Sequence, residues 1–137
     1  MNYKEFLGEV LAPEGWYCIV GLKTSATPKQ VFVESLDEID AEVRTLLDRN
    51  YNVYFGCAKY AKNRKRTKEN AEHFKALWLD IDCGAEKLYS DQEEGLNALA
   101  AFCNSVGLPM PCIVNSGNGL HTYWVLDEPI SKDEWKR

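Results

Sequence analysis

The chain has 137 residues, of which 45% are hydrophobic, and its formal net charge is −5. This length suits one domain with a buried core, and the acidic balance argues against a protein that coats nucleic acid by charge alone. There is no run of about 18 apolar residues and no basic-then-apolar leader, so we expect a cytoplasmic protein without a membrane partner. The five cysteines are scattered without a CxxC pair, which favours buried, reduced thiols.

Apolar periodicity predicts an N-terminal module in the order strand, strand, helix, strand. Strands are expected at 16–22, 30–35 and 51–57, where β-forming residues cluster between turn residues. A helix is expected at 37–49, because its apolar residues recur at helical spacing, and Asp37 is the candidate cap.

A basic segment follows, and residues 59–68 hold six cations and no acid. One interpretation is a solvated, mobile loop. The other is a contact with a nucleic-acid phosphate backbone, made by four cations in particular: Lys62, Arg64, Lys65 and Arg66. Composition does not decide between these two interpretations.

The strand predicted at 74–82 is the most informative segment, because it ends in two carboxylates. Since side chains alternate along a strand, one face carries aliphatic residues that should meet a core: Leu77, Leu79 and Ile81. The other face carries Ala76, Trp78, Asp80 and Asp82. Asp80 and Asp82, here called the strand-end pair, should repel each other unless a cation such as Mg²⁺ or Mn²⁺ lies between them. The alternative is a pair of acids that simply face solvent.

A helix, two strands and the start of another helix are predicted next: 90–106 with Gly107 as its C-cap, 111–115, 121–126, and a capping box at 131–134. The order from residue 74 onward is typical of a ferredoxin-like, split βαβ unit that stops before its second helix and last strand. We therefore expect an α+β fold (α/β in the broad sense) and a fragment of a longer protein. Its parts would be an N-terminal αβ module at 1–58, a basic loop at 59–73 and a partial RRM-like module at 74–137.

Between the last two strands lies a turn at residues 116–119, here called the glycine turn, which contains Gly117 and Gly119. Its glycines would let the backbone approach a ligand and turn amides outward, and His121 follows at the start of the next strand. A plain β-hairpin that turns at Asn118 and Gly119 is the alternative.

The combination of Leu-Trp-Leu-Asp-Ile-Asp-Cys-Gly with a later Ser-Gly-Asn-Gly-Leu-His-Thr-Tyr-Trp resembles the archaeo-eukaryotic primase superfamily. The likeness covers roughly residues 50–130 and is strongest to primase-polymerase domains of phages, plasmids and other mobile elements. It implies that Asp80 and Asp82 are catalytic ligands of Mg²⁺ or Mn²⁺. It also implies that His121 is catalytic and holds the phosphates of the incoming nucleotide together with Ser116, Gly117 and Gly119.

The implied reaction is template-directed nucleotidyl transfer, with nucleoside triphosphates and a DNA template and primer as partners. A helicase in the same chain or replisome is a further candidate partner. A third acidic residue on a later strand completes the family's site. Asp127 and Glu128 precede Pro129 and are expected in a turn, so neither is assigned this role. We expect the fragment to lack this carboxylate and to be inactive alone.

Two other function classes stay open. A Mn²⁺-dependent glycosyltransferase also uses Asp-x-Asp, although it gives no reason for the glycine turn with His121. A non-catalytic module for single-stranded nucleic acid could use the aromatic residues Trp78 and Tyr123, as sheets of this type often do. For Trp78 we prefer packing to a place in a site.

Overall fold

The computed structural model describes residues 1–62 and 65–137, and in these ranges it has an α+β fold with four helices and seven strands. In chain order they are α1 (Tyr3–Val10), β1 (Tyr17–Leu22), β2 (Lys29–Val33), α2 (Leu36–Asp48), β3 (Asn52–Phe55), β4 (Lys59–Tyr60), β5 (Ala71–Ile81), α3 (Gln92–Val106), β6 (Cys112–Asn115), β7 (Leu120–Ser131) and α4 (Lys132–Trp135). The strands form two sheets, with the orders β2-β1-β3 and β4-β5-β7-β6. The predicted fold class is confirmed.

The N-terminal sheet has β1 at its centre, paired antiparallel with β2 and with β3. The three predicted strands and the helix are therefore confirmed, with shifts of a few residues at their ends. The predicted cap is wrong, since Ser35 rather than Asp37 is the N-cap of α2. The Ser35 amide donates to the Glu38 carboxylate at 3.0 Å, which satisfies one of the amides that the helix itself leaves unpaired.

Helix α1 is absent from the sequence predictions, although a local signal for it exists. Asn2 and Glu5 form a capping box, in which each residue's side chain accepts from the other's backbone amide at 3.0 Å. The helix spans only 8 residues and buries Leu7 and Val10. Two buried positions are too few for apolar periodicity to reveal a helix.

The strand–helix–strand–strand order predicted from residue 74 onward is confirmed by β5, α3, β6 and β7. In the sheet, β7 lies between β5 and β6, so the two strands joined by α3 are split by a third. Helix α3 ends as predicted at Gly107, whose φ of 75° is left-handed. The turn predicted at Asp127 and Glu128 is wrong, because β7 continues through them. The predicted basic loop also contains β4 and the first residues of β5.

The predicted burial of the aliphatic face of β5 holds only at its end. Ile81 is buried, whereas Leu77 and Leu79 are 41% and 44% exposed. Helix α3 covers the strand end, where Leu99 and Cys103 pack with Ile81. Farther back along β5, Leu79 lines an open cavity with Phe102. The difference therefore follows from which part of the strand α3 covers.

The chain divides into two compact units, Met1–Lys75 with Asp127–Arg137, and Ala76–Leu126. A core cluster of the first unit contains Cys18, Val20, Ala58, Tyr60, Ala71 and Phe74. A core cluster of the second contains Ile81, Cys83, Leu99, Cys103 and Leu120. None of the helices in the described part of the chain has both the length and the apolar composition needed to span a bilayer.

Three of the five cysteines are buried, as the sequence predicts: Cys18, Cys83 and Cys103. Cys112 is exposed and Cys57 is partly exposed, so the prediction is wrong for Cys112 and only partly right for Cys57. Burial raises the pKa of the Cys18 and Cys57 thiols to about 11. Both are therefore protonated and poorly nucleophilic at neutral pH.

Candidate functional site

The strand-end pair lies where β5 leaves the sheet. Asp80 is the penultimate residue of the strand, and Asp82 follows its last residue. Both carboxylates are open to solvent, with 66% and 74% of their side chains exposed. Both carboxylates also line one open cavity with Leu79 and Lys87.

His121, the second residue of β7, lies beside the strand-end pair. Its Nε2 is 3.6 Å from the Asp80 Oδ1, which is ion-pair distance but too long for a hydrogen bond. The next residue, Thr122, is fully buried, and its hydroxyl donates to the Leu79 carbonyl at 3.0 Å. This bond ties β7 to β5 one residue away from the imidazole and the carboxylate. The structure thus brings Asp80 and His121 together, and Thr122 is a supporting residue that the sequence motif does not reveal.

The glycine turn packs directly on the end of β5, and Gly119 is the point of closest approach. A Cβ at residue 119 would overlap the carbonyl oxygen of Ile81 and would lie 3.4 Å from the Asp82 Cα. A side chain there would therefore push the turn away from the strand-end pair. This contact gives a physical reason for the small residue two positions before His121.

Three amides of the glycine turn, those of Ser116, Gly117 and Gly119, do not point outward as the sequence analysis predicts. The Ser116 amide donates to the Gly119 carbonyl, the Gly117 amide to the Asn115 side chain, and the Gly119 amide to the Ser116 hydroxyl. These groups satisfy one another inside the turn. The Ser116 hydroxyl accepts in its bond and so keeps its own proton for donation to a ligand. The turn also closes the β6–β7 hairpin, in which Asn115 pairs with Leu120, and the hairpin interpretation is therefore confirmed.

Two residues outside the motifs contact this site. Lys87, in the loop between β5 and α3, places its Nζ 3.6 Å from the Asp82 Oδ2. Its amide donates to the Gly84 carbonyl, so the loop folds back toward the strand end. Gln92, the first residue of α3, makes side-chain hydrogen bonds to the glycine turn. A lone lysine in a loop and a lone glutamine at a helix start carry no signal in the sequence.

The strand-end pair offers oxygen ligands, which are the ligands that Mg²⁺ and Mn²⁺ prefer. In the described ranges, no group of three or more histidine, cysteine, aspartate or glutamate side chains is placed to hold a metal ion. An ion at Asp80 and Asp82 would complete its shell with water and substrate phosphates, as Mg²⁺ commonly does. The donor set therefore fits a hard divalent cation that is shared with a substrate.

Hydrogen bonds hold the backbone of the basic segment at Lys65 and Arg66. Lys62, Lys65 and Arg66 are exposed, and Arg64 lies outside the described residues. The Lys65 carbonyl accepts from the Asn70 side chain at 3.0 Å, and the Arg66 amide donates to the Gln30 side chain at 3.3 Å. These bonds connect the backbone beside the two cations to Gln30 and Asn70.

Lys59, the first cation of the basic segment, is not part of the basic surface. It is fully buried, with its Nζ 3.5 Å from the centroid of the Tyr17 ring and 3.5 Å from the Pro13 carbonyl. Burial lowers the pKa of its ammonium group to about 8. Such a residue contributes to the core and cannot contact a phosphate backbone.

The two aromatic residues considered for stacking on bases differ in exposure. Trp78 is 37% exposed, whereas Tyr123 is only 6% exposed. A base cannot stack on a ring that is almost fully covered, so Tyr123 gives no support to a single-strand binding surface.

In comparisons with protein-family models, with curated proteins and with solved structures, nothing matches this chain.

Proposed function

We propose that the chain carries the metal and nucleotide site of a primase-polymerase-type nucleotidyltransferase. The observation that carries this proposal is the packing of the glycine turn on the end of β5, which sets His121 beside Asp80 with 3.6 Å between Nε2 and Oδ1. Neither short motif is specific by itself. Their contact supplies carboxylates and a phosphate-binding group at one strand end.

In this proposal, Asp80 and Asp82 hold a divalent cation, and the Ser116 hydroxyl and His121 orient the triphosphate. When bound, Mg²⁺ or Mn²⁺ would act as a Lewis acid at the α-phosphate, which a 3′-hydroxyl attacks with release of pyrophosphate. The Lys87 ammonium group offsets part of the negative charge at Asp82. The exposure of both carboxylates leaves room for the substrate phosphates on the same side.

The proposed partners are nucleoside triphosphates and a DNA template and primer, and the basic segment is the proposed template contact. A helicase in the same chain or replisome remains part of the proposal. No residue of this chain is assigned as the third metal-binding carboxylate. The chain is therefore expected to bind metal and nucleotide, and to show little or no synthesis by itself.

Calorimetry with a deoxynucleoside triphosphate and Mn²⁺ tests the proposal. We expect Asp80→Asn and His121→Ala each to weaken nucleotide affinity by about tenfold or more, because each removes a contact worth at least about 1.4 kcal/mol. Asp48→Asn, an exposed carboxylate on α2, is the matched control and should change nothing. No binding by the unaltered chain, or binding by both site variants as tight as that of the unaltered chain, would contradict the proposal.

Calorimetry of the same variants with other ligands distinguishes the two other function classes. A glycosyltransferase would bind a nucleotide sugar with Mn²⁺ and would not depend on His121. A non-catalytic nucleic-acid module would bind single-stranded DNA without metal, and Asp80→Asn would leave that binding unchanged or tighten it.

A further inference from the structure

Gln92 connects α3 to the glycine turn through an unusually dense set of hydrogen bonds. Its side-chain nitrogen lies 2.7 Å from the Asn115 Oδ1, 3.1 Å from the Gly117 carbonyl oxygen and 3.0 Å from the Gly119 carbonyl oxygen. In return, the Asn115 side-chain nitrogen donates to the Gln92 Oε1 at 3.3 Å. One side chain thus contacts both ends and the middle of the turn.

These contacts fix the orientation of the Gln92 amide. The reversed orientation would place its oxygen within about 3 Å of three other oxygens, with no proton between them. An NH₂ group has two protons, so three acceptors are reached only if one N–H is shared between two of them. The nitrogen therefore faces the turn, and all of its donor capacity is used there.

From this geometry we propose that Gln92 is a positioning residue, which holds the glycine turn in the form that accepts a nucleotide triphosphate. The inference rests on the proposed function and deepens it. Three oxygens that would repel a phosphate are engaged by Gln92, so the turn keeps donors for the anion. The Ser116 hydroxyl and the His121 ring are those donors.

Gln92 can act in this way because the start of α3 is itself fixed. The Asp91 side chain accepts from the Glu94 amide at 2.8 Å, and the Ser90 amide donates to the Glu94 carboxylate at 2.6 Å. One turn into the helix, Gly95 packs against the strand end, where a Cβ would lie 2.8 Å from the Cys83 Sγ. The first turn of α3, the end of β5 and the glycine turn therefore hold one another in place.

Gln92→Leu tests the proposal, because it keeps the size of the side chain and removes its hydrogen bonds. Two titrations are needed. The first uses Mn²⁺ alone and is monitored by water proton relaxation. The second uses deoxynucleoside triphosphate in the presence of Mn²⁺. We expect unchanged Mn²⁺ affinity and about tenfold weaker nucleotide affinity, because the carbonyls released by the substitution face the anion. Gln92→Glu should weaken nucleotide affinity further, since it places a carboxylate against the same oxygens.

Two control variants separate positioning from general stability. Glu93→Gln alters an exposed residue of the same helical turn, and nucleotide affinity should stay unchanged. Leu99→Val loosens the core beneath α3 and leaves every hydrogen bond of Gln92 in place, so it should lower the melting temperature with little effect on nucleotide affinity.

The possible results are distinct. If the unaltered chain binds no nucleotide with Mn²⁺, the proposed function and the role of Gln92 fail together. If the chain binds nucleotide and Gln92→Leu binds it equally well, only the role of Gln92 is overturned. If Gln92→Leu and Leu99→Val had the same melting temperature and lost nucleotide affinity equally, the positioning role of Gln92 would also be overturned.

Discussion

At the scale of single residues, Gly119 decides how close the glycine turn comes to the strand-end pair. We predict that Gly119→Ala costs about 1–3 kcal/mol of stability, because the added Cβ meets the Ile81 carbonyl and the backbone must shift. The shift moves the turn away from Asp82, so nucleotide affinity should fall as well. Urea unfolding and nucleotide titration measure the two effects.

Gly107→Ala is the matched control for this prediction. Gly107 has a φ of 75°, and a Cβ there would meet no described atom within 4 Å. We expect a cost of about 1–2 kcal/mol from the left-handed backbone alone, with nucleotide affinity unchanged. If Gly119→Ala bound nucleotide as tightly as Gly107→Ala does, close contact between the glycine turn and β5 would have no role in the site.

Lys59 predicts a pH dependence of stability. Burial lowers the pKa of its ammonium group from 10.5 to about 8, so between these values the unfolded chain binds a proton that the folded chain does not. The free energy of unfolding should therefore rise as the pH rises through this window. Between pH 7.5 and 9.5, we expect the free energy of unfolding of the unaltered chain to rise by about 2 kcal/mol more than that of Lys59→Met. Urea unfolding at both pH values checks this.

Lys29→Met, an exposed lysine on β2, should follow the unaltered chain in the same experiment. If the free energy of unfolding rose equally with pH in Lys59→Met and in the unaltered chain, the Lys59 ammonium group would not be desolvated in the folded state.

At the scale of elements, α3 depends on a glycine inside its first turns. Gly95→Ala should lower stability, because the added Cβ would lie 2.8 Å from the Cys83 Sγ, and this clash outweighs the higher helix propensity of alanine, which is worth about 1 kcal/mol. Adding Cys83→Ala removes the sulfur and should recover most of the loss. Thermal unfolding of the two single variants and the double variant measures this coupling. Additive losses in the double variant would contradict the close packing of α3 on the strand end.

Apolar periodicity predicts the long elements, because α2 and α3 repeat a buried face over several turns. It does not predict α1, which buries only Leu7 and Val10, or the two-residue strand β4. It also predicts burial for Leu77 and Leu79, which are exposed. Alternation tells which residues share a face of a strand, whereas burial depends on which other element covers that face.

The candidate site shows the same limit. Asp80, Asp82, Gly119 and His121 are visible in the sequence because they form two short motifs. The contact between these motifs depends on the pairing of β7 with β5, which no local pattern encodes. Lys87, Gln92 and Thr122 become visible only through their contacts, since each is an ordinary residue for its position.

At the scale of the whole molecule, a net charge of −5 makes any contact with DNA depend on a local cationic surface. We predict that changing Lys62, Lys65 and Arg66 together to glutamine weakens single-stranded DNA affinity and flattens its dependence on salt. Each lost phosphate contact should reduce the slope of log affinity against log salt by about 0.7. Fluorescence anisotropy at several salt concentrations measures the slope.

Changing Lys4, Lys23 and Lys29 to glutamine alters the net charge equally and spares the basic segment. This control should leave most of the affinity in place. If both triple variants lost the same affinity and slope, general charge rather than the basic segment would attract the DNA.

The internal hydrogen bonds of the glycine turn have a consequence for the thermodynamics of binding. A loop that orders around its ligand loses conformational entropy at that moment. Here the amides of Ser116, Gly117 and Gly119 already have partners in the free chain. A ligand that binds the turn should therefore meet a rigid surface, associate without a slow closing step, and show a small entropic penalty.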